Sequence, residues 1–95
     1  MVSFEEGVEI ALKDEIPLTV RQLGVLMKLW NGPATMSAIA VSLNSSFPVT
    51  SAAARRLEFE IIPPMIKRLR RNRDRRLLTA ELTDEGRAYM SRYYP

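Results

Sequence analysis

The sequence of 95 residues contains no cysteine and no histidine. Disulfide bonds, zinc sites and catalysis by a Cys or His side chain are therefore excluded, and only carboxylates remain as metal ligands. No apolar run approaches the roughly 20 residues needed to span a bilayer, and Glu5 and Glu6 stand where a signal peptide would carry Lys or Arg. We therefore expect a cytoplasmic protein that has no cofactor, no metal and no membrane partner.

The composition is that of an ordinary globular domain, with 46% hydrophobic and 26% charged residues. The length suits one folded unit with one core. Glu58 with Glu60 and Asp84 with Glu85 are acidic groupings that fall in predicted surface helices or at a helix cap, where acids are commonplace. The sequence therefore favours a binding protein over an enzyme.

The positive charge is concentrated in one part of the chain. The formal net charge is +3, yet residues 55–76 carry nine basic residues against three acidic residues, and both flanking parts are slightly acidic. This segregation indicates a polyanionic partner such as nucleic acid, although an acidic protein surface would also satisfy it.

Hydrophobic periodicity and helix caps predict four helices in the first two thirds of the chain, and Pro63-Pro64 ends the fourth. Thr19 and Gln22 form a capping-box pattern, Thr35 can cap a short helix, and Asn44 suits the left-handed backbone of the turn that follows. The predicted helices span residues 3–15, 20–30, 35–43 and 50–61.

Residues 65–70 and 77–82 predict the two strands of a hairpin, joined by the polar segment 71–76, and Thr83 begins a last helix. The expected fold is mainly α with a small β-hairpin, in the order α-α-α-α-β-β-α, which is a winged helix-turn-helix. Such a fold suits double-stranded DNA, because a helix fits the major groove and a basic loop can follow the adjacent minor groove. The predicted parts of this single domain (1–95) are an N-terminal helix (1–17), a helical core (18–62), the wing hairpin (63–82) and a C-terminal helix (83–95).

Several large side chains can be interpreted in two ways. We expect Met27 and Trp30 in the core, because they lie on an apolar helix face. The helical wheel sends Phe59 away from the core face, so that it either packs under the wing, which we favour, or meets a partner. The three tyrosines near the C terminus either complete the core or form a dimer contact.

The segment Leu18–Tyr89 resembles the winged-helix domain of MarR-type transcriptional regulators. Leu18–Leu23 is similar to the L-T-x-x-Q-[FL] helix start of that family, and Thr35–Ala40 is similar to its T-x-x-x-L-A pattern. Asp74–Arg76, followed after five residues by Leu82–Gly86, resembles the family's wing pattern D-[RK]-R…L-T-x-x-G.

The resemblance implies that residues 50–61 form the recognition helix, that Arg76 reaches the minor groove from the wing tip, and that Asp74 helps to hold the shape of the wing. Together with the basic run it predicts a set of DNA-binding residues, which are Ser51, Ala52, Arg55, Arg56, Lys67, Arg71, Arg73, Arg75 and Arg76. The stretch 43–65 is a few residues longer than the family pattern, and the glycine that usually precedes the wing is replaced near Pro64. Both terminal flanks are short, and family members use longer ones to build a dimer and frame a ligand pocket, so we infer no effector.

These observations predict a sequence-selective double-stranded DNA-binding transcriptional regulator, a repressor, that acts as a homodimer on two half-sites about one helical turn apart. A dimer is expected because one domain of this size buries little surface on DNA. Two alternatives stay open, a winged-helix adaptor that binds an acidic protein partner and a non-specific architectural DNA-binding protein.

Overall fold

The computed structural model describes residues 2–13, 17–69 and 78–94. Three strands of this part form an antiparallel sheet in the order β1-β3-β2. The mainly helical winged helix-turn-helix fold predicted from the sequence is confirmed. The helices are α1 (Phe4–Lys13), α2 (Val20–Leu29), α3 (Met36–Ser42), α4 (Phe47–Arg55), which continues as a π-helical turn (Arg56–Glu60), and α5 (Asp84–Met90); the strands are β1 (Ala34–Thr35), β2 (Ile66–Leu69) and β3 (Thr79–Leu82).

Side-chain caps set the start of α2, α3, α4 and α5. Thr19 and Gln22 form the predicted capping box of α2, in which each side chain accepts a hydrogen bond from the backbone N–H of the other residue. The hydroxyls of Thr35, Ser46 and Thr83 each accept a hydrogen bond from the backbone N–H three residues further along. These bonds satisfy donors that the first helical turn leaves without an intrahelical partner, so each start is encoded locally.

The fourth helix begins earlier than predicted, and this start is a correction. We expected it at residue 50, but α4 starts at Phe47, with Ser46 as its cap and Pro48 in its first turn. Proline is well suited to that place, because the first turn does not need its missing N–H and its fixed φ is already helical. The turn before α4 contains Asn44 at φ 51°, in the left-handed backbone expected there.

The sheet has one strand more than the predicted hairpin. The two-residue β1 pairs with β3, placing Ala34 opposite Ala80 and Thr35 opposite Thr79. A strand this short shows no alternating pattern in the sequence, and it forms because β3 offers a free edge beside it. In the hairpin itself, Lys67 of β2 lies opposite Glu81 of β3.

The core lies between α2, α3, α4, the sheet and α5. Its buried side chains include Val25, Leu26, Leu29, Met36, Ile39, Ala54, Leu57, Ile61, Met65, Ile66, Ala80, Tyr89 and Met90. The predicted place of Met27 in this core is wrong, because its side chain is 42% exposed. Trp30 is half-buried against the core, with its indole stacked on Tyr94 at 4.9 Å between ring centroids. Tyr89 is buried and completes the core.

The Leu82–Gly86 motif holds α5 against the chain that leads into β2. The Thr83 hydroxyl donates a hydrogen bond to the Pro64 carbonyl at 2.6 Å, and the Thr83 N–H donates to the Met65 carbonyl at 3.0 Å. Gly86 is buried here, and a Cβ on it would collide with that same Met65 carbonyl oxygen. The motif therefore fixes how the hairpin leaves the helical core.

Helix α1 buries none of its residues. Its large apolar side chains are exposed, Phe4 by 86% and Leu12 by 80%. In the part of the chain that the structure describes, no helix combines the length and the apolar character needed to cross a membrane.

Candidate nucleic-acid interface

The outer side of α4 and its π-helical turn forms one continuous strip. Pro48, Ala52, Arg55 and Phe59 are all exposed, and their spacing of four, three and four residues places them along one helix face. The opposite side is in the core, where Ala54 and Leu57 are fully buried. The helix therefore presents a single solvent-facing strip, as a helix that enters a DNA groove must.

The turn between α3 and α4 is attached to α2. The Arg21 guanidinium donates a hydrogen bond to the Ser45 hydroxyl at 2.7 Å, and the Ser45 N–H donates to the Ala40 carbonyl at 3.0 Å. Together with the left-handed Asn44, these bonds set the angle between α3 and α4. The two helices and their turn thus form the helix-turn-helix that the sequence predicts.

Arg55 is exposed on the outer strip of α4. Among the described residues, no carboxylate lies within ion-pair distance of its guanidinium, which lies 6.0 Å from the centre of the Phe59 ring. A guanidinium in this setting keeps its five donors available for a base edge or a phosphate.

Arg56 has a different environment, although it is adjacent in sequence. Its Nη1 donates hydrogen bonds to the Pro17 carbonyl at 2.9 Å and to the Gln22 Oε1 at 2.8 Å. Gln22 is buried and belongs to the capping box of α2. Arg56 therefore joins the end of α4 to the start of α2, whereas the sequence grouped it with Arg55 as a DNA contact.

Phe59 is exposed rather than packed away. Its side chain is 63% exposed, which contradicts the favoured expectation of burial under the wing. The guanidinium groups of Arg55 and Arg68 each lie 6.0 Å from the ring centre. Such cation–π contacts at an exposed site contribute about 0.5–1 kcal/mol and restrain both arginines.

Glu58 attaches the π-helical turn after α4 to β2 of the hairpin. Its Oε1 lies 2.9 Å from Nε of Arg68, its Oε2 accepts a hydrogen bond from the Arg68 backbone N–H at 3.1 Å, and each side chain is only 15% exposed. Because β2 is an edge strand, the carboxylate also covers a backbone donor that the sheet leaves open. The sequence predicts Glu58 to be an ordinary surface acid, and no local signal marks its partner.

Lys67 lies on the hairpin with its side chain 59% exposed, and its Nζ is 3.2 Å from Glu81 Oε1. Ser51 is half-buried and Ala52 is exposed on the outer side of α4. The remaining predicted site residues lie outside the described residues, and their roles stay predictions; they are Arg71, Arg73, Asp74, Arg75 and Arg76.

An open apolar cavity of about 640 Å³ lies between α1, α2 and α5. Val8 and Leu12 of α1, Met27 of α2 and Tyr93 after α5 contribute to its lining. Within residues 2–13, 17–69 and 78–94, no cluster of three or more acidic, His or Cys side chains could hold a metal ion.

Comparison with known proteins gives matches among solved structures, whereas no protein-family model and no curated protein matches the chain. The crystal structure of RV1404 from Mycobacterium tuberculosis is 30% identical with a TM-score of 0.74, over 94% of this chain and 58% of that one. NMB1585, a MarR family regulator from Neisseria meningitidis, is 23% identical with a TM-score of 0.71, over 81% of this chain and 53% of that one.

ZitR, a zinc-responsive MarR family member from Lactococcus lactis, is 24% identical with a TM-score of 0.71, over 86% of this chain and 55% of that one. The chain thus spans little more than half the length of the proteins it matches. The sequence resemblance in the helix starts and the wing motif and the structural matches, which cover 81–94% of this chain, indicate the same fold. The fold of this chain is the winged helix-turn-helix fold of MarR-type regulators.

Proposed function

We propose that this protein is a transcription regulator that binds double-stranded DNA, with α4 in the major groove and the hairpin along the adjacent backbone and minor groove. The observation that carries this proposal is the exposed strip of α4, which bears Arg55 without an acidic partner among the described residues. A helix with an available guanidinium fits the major groove, where Arg can bond both acceptors of a guanine. The likeness to MarR family regulators supports the same function.

The basic hairpin supplies the second part of the proposed interface. Residues 55–76 carry nine basic and three acidic residues, a formal charge of +6, whereas the whole chain carries +3. We assign Arg75 and Arg76 to the minor groove and Lys67 to phosphates, with Asp74 as the residue that shapes the loop. Arg71 and Arg73 complete this set as phosphate contacts.

Ser51 and Ala52 complete the base-reading side of α4, while Arg56 acts by holding α4 on α2. The regulator is sequence-selective and represses by occupying its site. The assignment of Ser51 and Ala52 to base reading is supported by the direction of the side chains on α4, because base edges are read only by residues that face the groove.

The proposed active form is a homodimer, in which the apolar side of α1 is covered by a second copy. Its support is the exposure of Phe4 and Leu12, together with the 86% exposure of Val20 at the start of α2. Isolated exposed apolar residues are ordinary, but a contiguous apolar surface around a cavity is typical of an interface. Sedimentation of Leu12→Glu should give a monomer, whereas Lys13→Glu, which places a carboxylate one residue further on and changes the net charge by even more, should remain dimeric. A wild-type protein that is monomeric when bound to DNA would contradict the dimer.

Selection of duplexes from a random pool, followed by fluorescence anisotropy at several salt concentrations, tests the function directly. We expect retained duplexes to share a sequence, and Arg55→Ala to weaken binding about 10–100-fold and relax the preference at one base pair, since a bidentate Arg contact contributes about 1–3 kcal/mol. Lys13→Ala, which removes a positive charge from α1, is the matched control and should bind as the wild type does.

Three other outcomes are informative. Retention of no duplex at low salt, with an acidic protein co-purifying, would replace the proposal by the adaptor function. A steep dependence on salt without any preference among sequences would indicate architectural DNA binding. An equal loss in Arg55→Ala and Lys13→Ala would show that only net charge matters.

A further inference from the structure

The part of α4 that faces outward is unusually poor in hydrogen-bonding side chains. Pro48, Val49 and Ala52 are exposed in its first two turns, with Val49 40% exposed. Thr50 is 2% exposed, and its hydroxyl donates a hydrogen bond to the Ser46 carbonyl at 2.9 Å, so it faces inward.

The sequence of α4, Phe47–Arg55, contains no Asn, Gln, Asp, Glu or Lys. Half-buried Ser51 and exposed Arg55 are therefore the only polar side chains of this helix that can face a partner. Most of the surface that the proposed interface brings to the base edges is hydrocarbon.

Hydrocarbon has one favourable partner in the major groove. All base pairs display polar acceptors or donors there, and thymine adds a C5-methyl group. Packing Val49 against a polar base edge would remove water from that edge without replacing its hydrogen bonds, which costs free energy. Packing Val49 against a methyl group buries apolar surface on both sides.

We infer that Val49 and Ala52 read the C5-methyl groups of pyrimidines in the major groove, and that Arg55 provides the polar contact beside them. This inference rests on the proposed DNA binding and names its specificity. Thymine and 5-methylcytosine carry the same methyl group at the same place, so both are sources of the recognised chemistry.

The test uses a selected duplex in which each thymine is replaced in turn by deoxyuridine. Deoxyuridine lacks the methyl group but keeps the hydrogen-bonding edges of thymine. We expect at least one position in each half-site to lose about fourfold in affinity, the value that follows from burying one methyl group. In a separate arm, cytosines of the site are methylated; a gain of about fourfold there identifies 5-methylcytosine as a source.

Variants identify the residue that reads the methyl group. In Val49→Ala the loss caused by deoxyuridine at its position should shrink to less than about twofold, because the methyl has lost its partner. Val41→Ala on α3 is the matched control, since Val41 is 82% exposed and lies outside α4, and it should keep the full loss. Val49→Thr replaces one of the two γ-methyl groups by a hydroxyl at nearly the same volume and should show a loss between those of the wild type and Val49→Ala, which separates methyl reading from packing within the protein.

The outcomes distinguish a failure of this inference from a failure of the proposed DNA binding. A protein that retains no duplex overturns the proposed function. A protein that binds its selected duplex equally well with thymine or deoxyuridine at every position, and with or without cytosine methylation, overturns methyl reading alone. Equal sensitivity to deoxyuridine in the wild type, Val49→Ala and Val49→Thr would assign the methyl contact to a residue other than Val49.

Discussion

The ion pair between Glu58 and Arg68 should contribute much more to stability than the pair between Lys67 and Glu81, although both attach to β2. Glu58 makes two hydrogen bonds to Arg68, and both side chains are 15% exposed, whereas the side chains of Lys67 and Glu81 are 59% and 29% exposed. Removing one partner of a buried pair costs about 3–5 kcal/mol, because the other charge stays buried alone.

Some water still reaches the Glu58 site, so we expect Glu58→Ala to lower the free energy of unfolding by about 2–4 kcal/mol, which is between the costs of losing one charged hydrogen bond and a fully buried pair. Glu81→Ala removes an exposed pair and should cost about 0.2–1 kcal/mol. Because Glu58 holds the π-helical turn after α4 to β2, the first variant should also loosen the contact between this turn and the hairpin.

Urea denaturation followed by the fluorescence of Trp30 measures both variants, since Trp30 is the single tryptophan and stacks on Tyr94. In thermal unfolding, each kcal/mol corresponds to roughly 4–8 °C for a domain of this size, so Tm should fall by about 10 °C or more in Glu58→Ala and much less in Glu81→Ala. Arg68→Ala combined with Glu58→Ala should cost less than the sum of the two single changes. Equal costs for Glu58→Ala and Glu81→Ala would refute the argument from burial.

Two further predictions concern the packing of the fold. Gly86→Ala should lower the free energy of unfolding by about 3 kcal/mol or more in urea denaturation, because the new methyl group collides with the backbone at Met65, which cannot move aside. Gly24→Ala is the control, since its new methyl group meets only a flexible leucine side chain. Its free energy of unfolding should stay within about 1 kcal/mol of the wild type. Arg56→Ala removes two hydrogen bonds and should lower the free energy of unfolding by about 1–2 kcal/mol. It should change the preferred DNA sequence less than Arg55→Ala does, which repeated selection from the random pool would measure. A changed site preference in Arg56→Ala at unchanged stability would place that side chain at the DNA instead.

Local signals predicted the features that depend on neighbours in the chain. Thr19, Thr35 and Thr83 begin helices because each hydroxyl bonds a backbone N–H three residues away, and Asn44 takes the left-handed backbone expected of its residue type. The predicted start of α4 at residue 50 is wrong, because Ser46 is an equally good cap and Pro48 fits the first turn of the helix.

Contacts between distant residues account for what the sequence alone could not supply. The sequence determined the five helices, the two strands of the hairpin, their order and the concentration of positive charge, because periodicity, caps and composition are properties of short segments. Only the tertiary structure separated Arg55, which faces outward, from Arg56, which bonds to α2, and only it paired Glu58 with Arg68 across ten residues. Which face of a helix meets solvent, and which charge meets another, depends on how the elements pack, and no residue carries that information within its own segment.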